Sequence, residues 1–257
     1  MAKWTPFPQP GLFAFDATTM RRQWPRLHAG DAEPLPTDEA ALQAWALYHA
    51  GDFQRAAEAG LAAGGAGLVA ANRAACMHAT YLEKKEKARL DLFLEVAQRA
   101  EAQAAAEPRN ANAWYLQAYA LGRYSQGISV AKALAQGLGS RVRDALERVI
   151  ALQPRHADAH IALGTFHAEV IDKVGALIGG MTYGARKEVG LRMFQEALRI
   201  HPGSAIGMVE YARGLLMLEG EPAQKEAARL YEQAAACRPQ DAAEWLDVEL
   251  ARTELAD

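Results

Sequence analysis

Cysteine is scarce in this chain of 257 residues: there are two, Cys76 and Cys237. They lie far apart and show no CxxC spacing, which excludes a disulfide framework and a cysteine-based zinc site. Both stand in alanine-rich stretches and read as small buried hydrophobes suited to a reducing compartment. An excess of positive charge is missing too. The formal net charge is −3, and no basic tract supplies the electrostatic footprint of a nucleic-acid binder. The dense cluster Glu83-Lys84-Lys85-Glu86-Lys87 mixes signs and reads as a solvated turn or helix start. The uncharged apolar run Val174 to Ala185 is too short for the ~20 residues that span a bilayer. Met1 to Leu12 carries three prolines and no apolar core, unlike a secretory leader, and has no cysteine for lipid attachment. These features together predict a cytoplasmic protein without a membrane span. Catalytic signatures are absent as well: there is no GxSxG, no P-loop and no GxGxxG fingerprint. Gly137-Leu138-Gly139-Ser140 lacks both a preceding strand and a following Gly-Lys-Ser/Thr. The expectation is a protein that is not an enzyme and holds no cofactor.

Proline is present in a pattern. Six of the eleven prolines fall in the first 36 residues: Pro6, Pro8, Pro10, Pro25, Pro34 and Pro36. That density prevents a long helix. The same stretch holds Trp4, Phe7, Phe13, Phe15 and Trp24, more aromatic weight than disordered tails carry. Residues 1–36 therefore read as an extended strap, with a short helix near Thr18–Trp24, packed on a helical body over 37–257. Pro108, Pro154, Pro202 and Pro239 each follow a strong helical stretch: Leu90–Ala106, Val142–Leu152, Val189–Ile200 and Ala227–Ala236. Such periodic helix termination marks a repeat array. Alanine dominates the apolar 51% of the chain, which favours helix, and β-branched alternation is missing. The fold class is predicted to be all-α.

Counting back from the prolines aligns the repeats. Gly190, Phe194, Ala197 and Pro202 give a small–aromatic–small–proline spacing, which Ala227, Tyr231, Ala234 and Pro239 reproduce. Val142, Leu146, Val149 and Pro154 keep it with aliphatic residues. His160, Leu163, Gly164 and His167 then fall on a first helix, as does Trp114 in the preceding unit. These residues resemble the tetratricopeptide repeat (TPR), whose two antiparallel helices fill about 34 residues. The resemblance implies a TPR-like α-α superhelix, a solenoid of about five helix pairs closed by a C-terminal capping helix. Asp241 and Glu244 would form the capping box of that last helix, and Trp245, Val248 and Leu255 would cover the final repeat. Over roughly residues 110–240, HADAHIALGTFHAEVIDKV and YGARKEVGLRMFQEALRIHPGS resemble two narrower groups. One is the T-component proteins of bacterial TRAP transporters; the other is the eukaryotic regulator of microtubule dynamics family. That likeness implies inserted TPR-like units and an ability to bind a ligand.

The middle units are long. Pro108 to Pro154 is 46 residues and Pro154 to Pro202 is 48, about a dozen more than the usual repeat. The surplus falls at Tyr124–Ser140 (YSQGISVAKALAQGLGS) and Val170–Arg186 (VIDKVGALIGGMTYGAR), both glycine-rich and low in charge. Helical stripes run through Ile128, Ala131, Ala135 and Leu138, and through Val170, Val174, Leu177 and Met181. Two readings stand: the insertions pack on each other as extra structure, or they wall a mainly apolar pocket, with Met181 and Tyr183 facing the ligand.

In a TPR array certain first-helix positions point into the concave groove. Here they are Trp45, Tyr48 and His49, then Asn112, Tyr115, Tyr119 and Arg123, then Asp158, Ile161, Thr165 and Glu169. Trp45, Tyr48, Asn112, Tyr115, Tyr119 and Arg123 are the candidate partner-binding residues, with large rigid area and polar tips. The lysine–asparagine clamp of some TPR domains is missing, since Ala41, Trp45, Tyr115 and Tyr119 occupy its positions. His160 and His167 stand about two helical turns apart, roughly 10 Å, too far for one metal ion. They read as packed, hydrogen-bonded side chains, and His156, just after Pro154, reads as exposed. The function implied is a non-enzymatic scaffold that binds a protein or peptide in its concave groove. The alternative is a carrier or sensor of a small apolar ligand beside the insertions. Solenoid edges also leave room for a homo-oligomer.

Overall fold

Three repeat prolines act alike. The carbonyls of Glu107, Gln153 and His201 accept the N–H of the residue three positions on (Asn110, His156 and Ser204) at 2.9, 3.0 and 3.2 Å. Each proline thus takes the second position of a tight turn, where its fixed φ fits. The residue that closes the turn caps the next helix. Asn110 Oδ1, His156 Nδ1 and Ser204 Oγ accept the N–H of Ala113, Ala159 and Gly207, each at 3.1 Å. One four-residue unit therefore ends a helix and starts the next. It also corrects the expectation for His156, which is fully buried because its ring folds back on the helix it caps.

The computed structural model describes residues 3–256, which contain helices and no strand. They form two compact units. The first comprises the chain up to His28, Glu33–Ser129 and Gln240–Ala243; the second comprises Ala29–Ala32, Val130–Pro239 and the chain from Glu244.

The first unit holds α1 (Ala17–Leu27), α2 (Glu39–His49), α3 (Phe53–Ala63), α4 (Gly67–Met77), α5 (Glu86–Ala106) and α6 (Ala111–Gln126). Asp16 and Asp38 cap α1 and α2 with their side chains. A π-helical turn, His78–Leu82, follows α4. Sequential helices pack in antiparallel pairs, and α2, α4 and α6 stack side by side. The α3 and α4 backbones nearly touch: a Cβ on Gly60 would lie 2.5 Å from the Gly67 carbonyl oxygen. Trp45, Leu42, Val96 and Leu116 form the core. Along the first residues Trp4 stacks on His78, with ring centroids 4.4 Å apart and planes at 7°. Phe7 meets Phe53 edge-on and fills the space left by the missing side chain of Gly51.

The second unit holds α7 (Val130–Ala135), α8 (Leu138–Leu152), α9 (Ala157–Val174), α10 (Ala176–Tyr183), α11 (Lys187–Ile200), α12 (Ala205–Glu219), α13 (Gln224–Ala235) and most of α14 (Ala242–Ala256). The two insertions thus become the short helices α7 and α10. Gly137 after α7 and Gly184 after α10 adopt left-handed backbone, which stops each helix within two turns. The residues aligned from the prolines are the core. Phe194 is fully buried and stacks on Tyr211 at 5.3 Å. It fits between α9 and α12 because both present glycine there: a Cβ on Gly164 or Gly214 would stand 2.9 or 2.4 Å from the ring. Val248 and Ala251 of α14 close the core around Leu230 and Tyr231, while Leu255, expected to join them, is exposed. Cys76 is buried as read; Cys237 is only half-buried.

His160 and His167 are buried and bonded. His160 Nε2 lies 3.0 Å from the Pro154 carbonyl, and His167 Nδ1 accepts the Arg186 N–H at 3.2 Å. Burial, aided by Arg143, Arg186 and Arg192, pushes the His167 ring down to about 4. An unfolded histidine takes up its proton near pH 6.5, so the unfolded chain binds the proton first as pH falls. Stability from this site is therefore full above pH 6.5 and is lost on acidification toward pH 4.

This packing can be tested at two points. In Gly214→Ala the added methyl meets the Phe194 ring, and we expect a loss of about 1–3 kcal/mol, read as a lower thermal midpoint with helix content retained. Between pH 7 and 4.5, His167 should cost the fold about 2–3 kcal/mol. Calorimetry at the two pH values should show this loss, and it should shrink in His167→Gln.

Candidate binding face

On α6, Asn112, Tyr115 and Tyr119 recur at the spacing that keeps side chains on one helical face. Arg73 of α4 lies over the Tyr115 ring at 5.3 Å, the Tyr115 and Tyr119 centroids are 6.0 Å apart, and Arg123 lies over Tyr119 at 5.3 Å. The four form a continuous row across two neighbouring first helices. Each guanidinium on a ring face gains roughly 0.5–1 kcal/mol at a partly exposed site. The Tyr119 hydroxyl lies 2.9 Å from Thr80 Oγ1 in the π-helical turn. Arg99 of α5 donates Nε–H to Asn72 Oδ1 at 2.9 Å, and the buried Asn72 Nδ2 finds no hydrogen-bond partner. Cys76 lies among these groups. Burial pushes its thiol up to about 12, against the opposing pull of Arg73, Arg99 and Arg123. Three guanidiniums from three helices thus act on one neighbourhood. Planar, forked donors beside aromatic faces suit carboxylates and extended peptide chains.

The α2 end of the unit is covered by the chain itself. Trp45 is 0% exposed and meets Trp24, His28 and Tyr48 edge-on at 5.9, 4.6 and 5.2 Å. His49 Nδ1 lies 2.5 Å from Asp241 Oδ2, and its Nε2 lies 3.3 Å from His28 Nε2. With neutral rings one order satisfies both contacts: His28 donates to His49, and His49 donates to Asp241. Asn112 Nδ2 donates to Glu33 Oε2 at 2.6 Å, and Trp24 Nε1 donates to the Glu33 carbonyl at 2.8 Å.

Of the residues singled out from the sequence, Trp45, Tyr48, Asn112 and Tyr115 are buried in the first unit, and Tyr119 and Arg123 are half-buried there. Met181 and Tyr183 belong to the second unit. Met181 is 82% exposed on α10, with Leu177 and Ile178 exposed beside it. Tyr183 packs on Gly139, and its carbonyl accepts from Arg143 Nη1 at 2.8 Å. The sequence alone does not point to Arg73, Arg99, Thr80, His28 or Glu33. Arg73 and Thr80 come from the degenerate pair over 68–108, where no spacing fixes the inner positions. Among the described residues no three His, Cys, Asp or Glu side chains gather as metal ligands, and no helix is long and apolar enough to cross a membrane.

No protein-family model matches the chain, and no curated protein matches it. Among solved structures, the chain is similar to a thermophilic TPR protein of Thermus thermophilus. The match has a TM-score of 0.58 over 83% of this chain and 97% of that one, at 16% sequence identity. At that identity the likeness concerns the fold, and with the helix pairs described above it defines this one: an all-α, TPR-like solenoid.

Proposed function

We propose that this protein is a non-enzymatic TPR-type scaffold that binds a protein or peptide partner on the α4–α6 face of its first unit. The row Arg73–Tyr115–Tyr119–Arg123 carries the reading. It offers stacked rings and guanidiniums on the helices that line the inner face of TPR arrays, with Tyr119 and Arg123 reaching solvent. Extended recognition surfaces of this kind are the common use of the fold, and aromatic and arginine side chains dominate binding energy at interfaces. The two free cysteines fit a cytoplasmic setting. In affinity capture with the immobilised full chain, Tyr119→Ala with Arg123→Glu should weaken the retained partner about ten-fold or more while leaving the circular dichroism unchanged. Retention unaltered by the pair would remove this face from consideration.

A second reading is favoured by α10. Leu177, Ile178 and Met181 stand exposed on an uncharged helix, and the narrower resemblance of residues 110–240 implies ligand binding. It assigns the α10 surface to a small apolar ligand. A native mass spectrum of gently purified protein separates the two. The scaffold reading expects the bare chain mass; the carrier reading expects an adduct that Met181→Lys removes.

A further inference from the structure

We propose that one edge of the second unit, built from α7, α10 and the last turn of α12, docks reversibly on an anionic lipid bilayer. The inference goes beyond the scaffold reading and does not depend on it. It shares α10 with the carrier reading, but its occupant is a bilayer surface rather than a single bound molecule.

The packing of α10 is inverted. A surface helix ordinarily turns its large apolar side chains inward. α10 instead rests on α9 through glycine: Gly179 is buried, and a Cβ there would stand 3.1 Å from Val170 Cγ1. Leu177, Ile178 and Met181, three and four residues apart, therefore share the outward face, with Leu177 76% exposed. α7 has no buried residue, and its Val130 and Leu134 are exposed as well. Contacts bring these helices to one edge. Tyr183, which ends α10, packs on Gly139 in the first turn of α8, directly after α7, and its carbonyl accepts from Arg143. Lys187 Nζ lies 3.0 Å from Glu219 Oε1, which sets the end of α12, with Leu216 and Met217 exposed, beside the start of α11. Of the ten large apolar side chains exposed among the described residues, seven lie on these three segments. Exposure is thus gathered into one patch, the mark of an interaction site.

Charge selects the occupant. Residues 130–143 carry Lys132, Arg141 and Arg143 and no carboxylate; residues 173–187 carry Lys173, Arg186 and Lys187 and again none, in a chain of net charge −3. Arg143, Lys173 and Lys187 pair with Asp144, Glu169 and Glu219 on the adjoining helices. Lys132, Arg141 and Arg186 are exposed, and Arg186 has no carboxylate within ion-pair range among the described residues. Protruding apolar side chains flanked by cations match a bilayer surface, where the chains enter the headgroup boundary and the cations meet anionic lipid. A second copy fits poorly, because apposing two such edges sets like charges against each other. Few side chains enter, and electrostatic attraction adds only a modest gain per cation, so the docking is reversible.

The test is vesicle flotation with the full chain. Wild type should rise with vesicles of phosphatidylcholine and phosphatidylglycerol at about 3:1, and bind phosphatidylcholine alone at least about five-fold more weakly. Salt at about 0.5 M should weaken binding to the anionic vesicles. Leu177→Glu with Met181→Glu should reduce that binding about ten-fold or more while circular dichroism is unchanged. Leu177→Trp should strengthen it, because an indole favours the bilayer interface; a merely structural role for Leu177 gives no such gain. Arg186→Glu should weaken binding to the anionic vesicles only. The comparison of the two vesicles needs no variant, so it decides the matter even where a variant fails to fold. Wild type that binds neither vesicle, or both equally, overturns the proposal. A dimer that Leu177→Glu with Met181→Glu dissociates, without flotation, overturns it in favour of a second copy. Lipid recovered with chain that stays below the vesicles overturns it in favour of the carrier reading. The scaffold reading is tested by Tyr119→Ala with Arg123→Glu in the first unit and stands or falls separately.

Discussion

The fold depends on how one helix is ended and the next begun. A helix leaves carbonyls unpaired at its C-terminus and N–H groups unpaired at its N-terminus. In this chain a single turn of four residues answers both needs. Proline cannot continue the first helix and pre-sets the turn, and the residue two positions later supplies the acceptor that caps the second. Asparagine, histidine and serine each fill that capping place with the same 3.1 Å contact, so the demand is for an acceptor at a fixed distance, not for one residue type. The reversal so fixed lays consecutive helices side by side. Small residues then decide how close they come, as at Gly60 and Gly67, and an aromatic fills whatever gap remains, as Phe194 does between Gly164 and Gly214.

Because this device is local, it is legible in sequence. Proline acts through its own φ and its missing N–H, and the cap acts over three residues, so counting from Pro154 and Pro202 locates Val142, Leu146, Phe194 and Ala197 as core. The same counting from Pro108 places Asn112, Tyr115, Tyr119 and Arg123 on one face of α6. Where the punctuation is missing, the reading loses precision. No proline stands in the turn between α3 and α4, so Arg73 and Thr80 have no register. Turn residues are usually exposed, which is why the sequence suggests exposure for His156; the need to cap α9 turns its ring inward instead. The contacts of His28 with His49 and of Glu33 with Asn112 span 21 and 79 residues. Pairings at that separation leave no periodic trace, since they are set by tertiary proximity alone.

The charge distribution bears on how such a face selects its partner. The whole chain carries a net charge of −3, so at a distance it does not attract an acidic molecule. Around Cys76, Arg73, Arg99 and Arg123 pull against the rise that burial gives its thiol. With fields screened beyond about 8 Å at physiological salt, these arginines act only on groups that come close to them. On the scaffold reading proposed above, long-range steering would contribute little, and partners would differ mainly in how fast they leave Tyr119 and Arg123. Trp24, Trp45 and His49 are already kept out of water by the chain itself, which leaves the half-buried Tyr119 and Arg123 as the accessible end of the row. Selectivity at such a face would then rest on short-range fit to one ring and one guanidinium rather than on the charge of the whole chain.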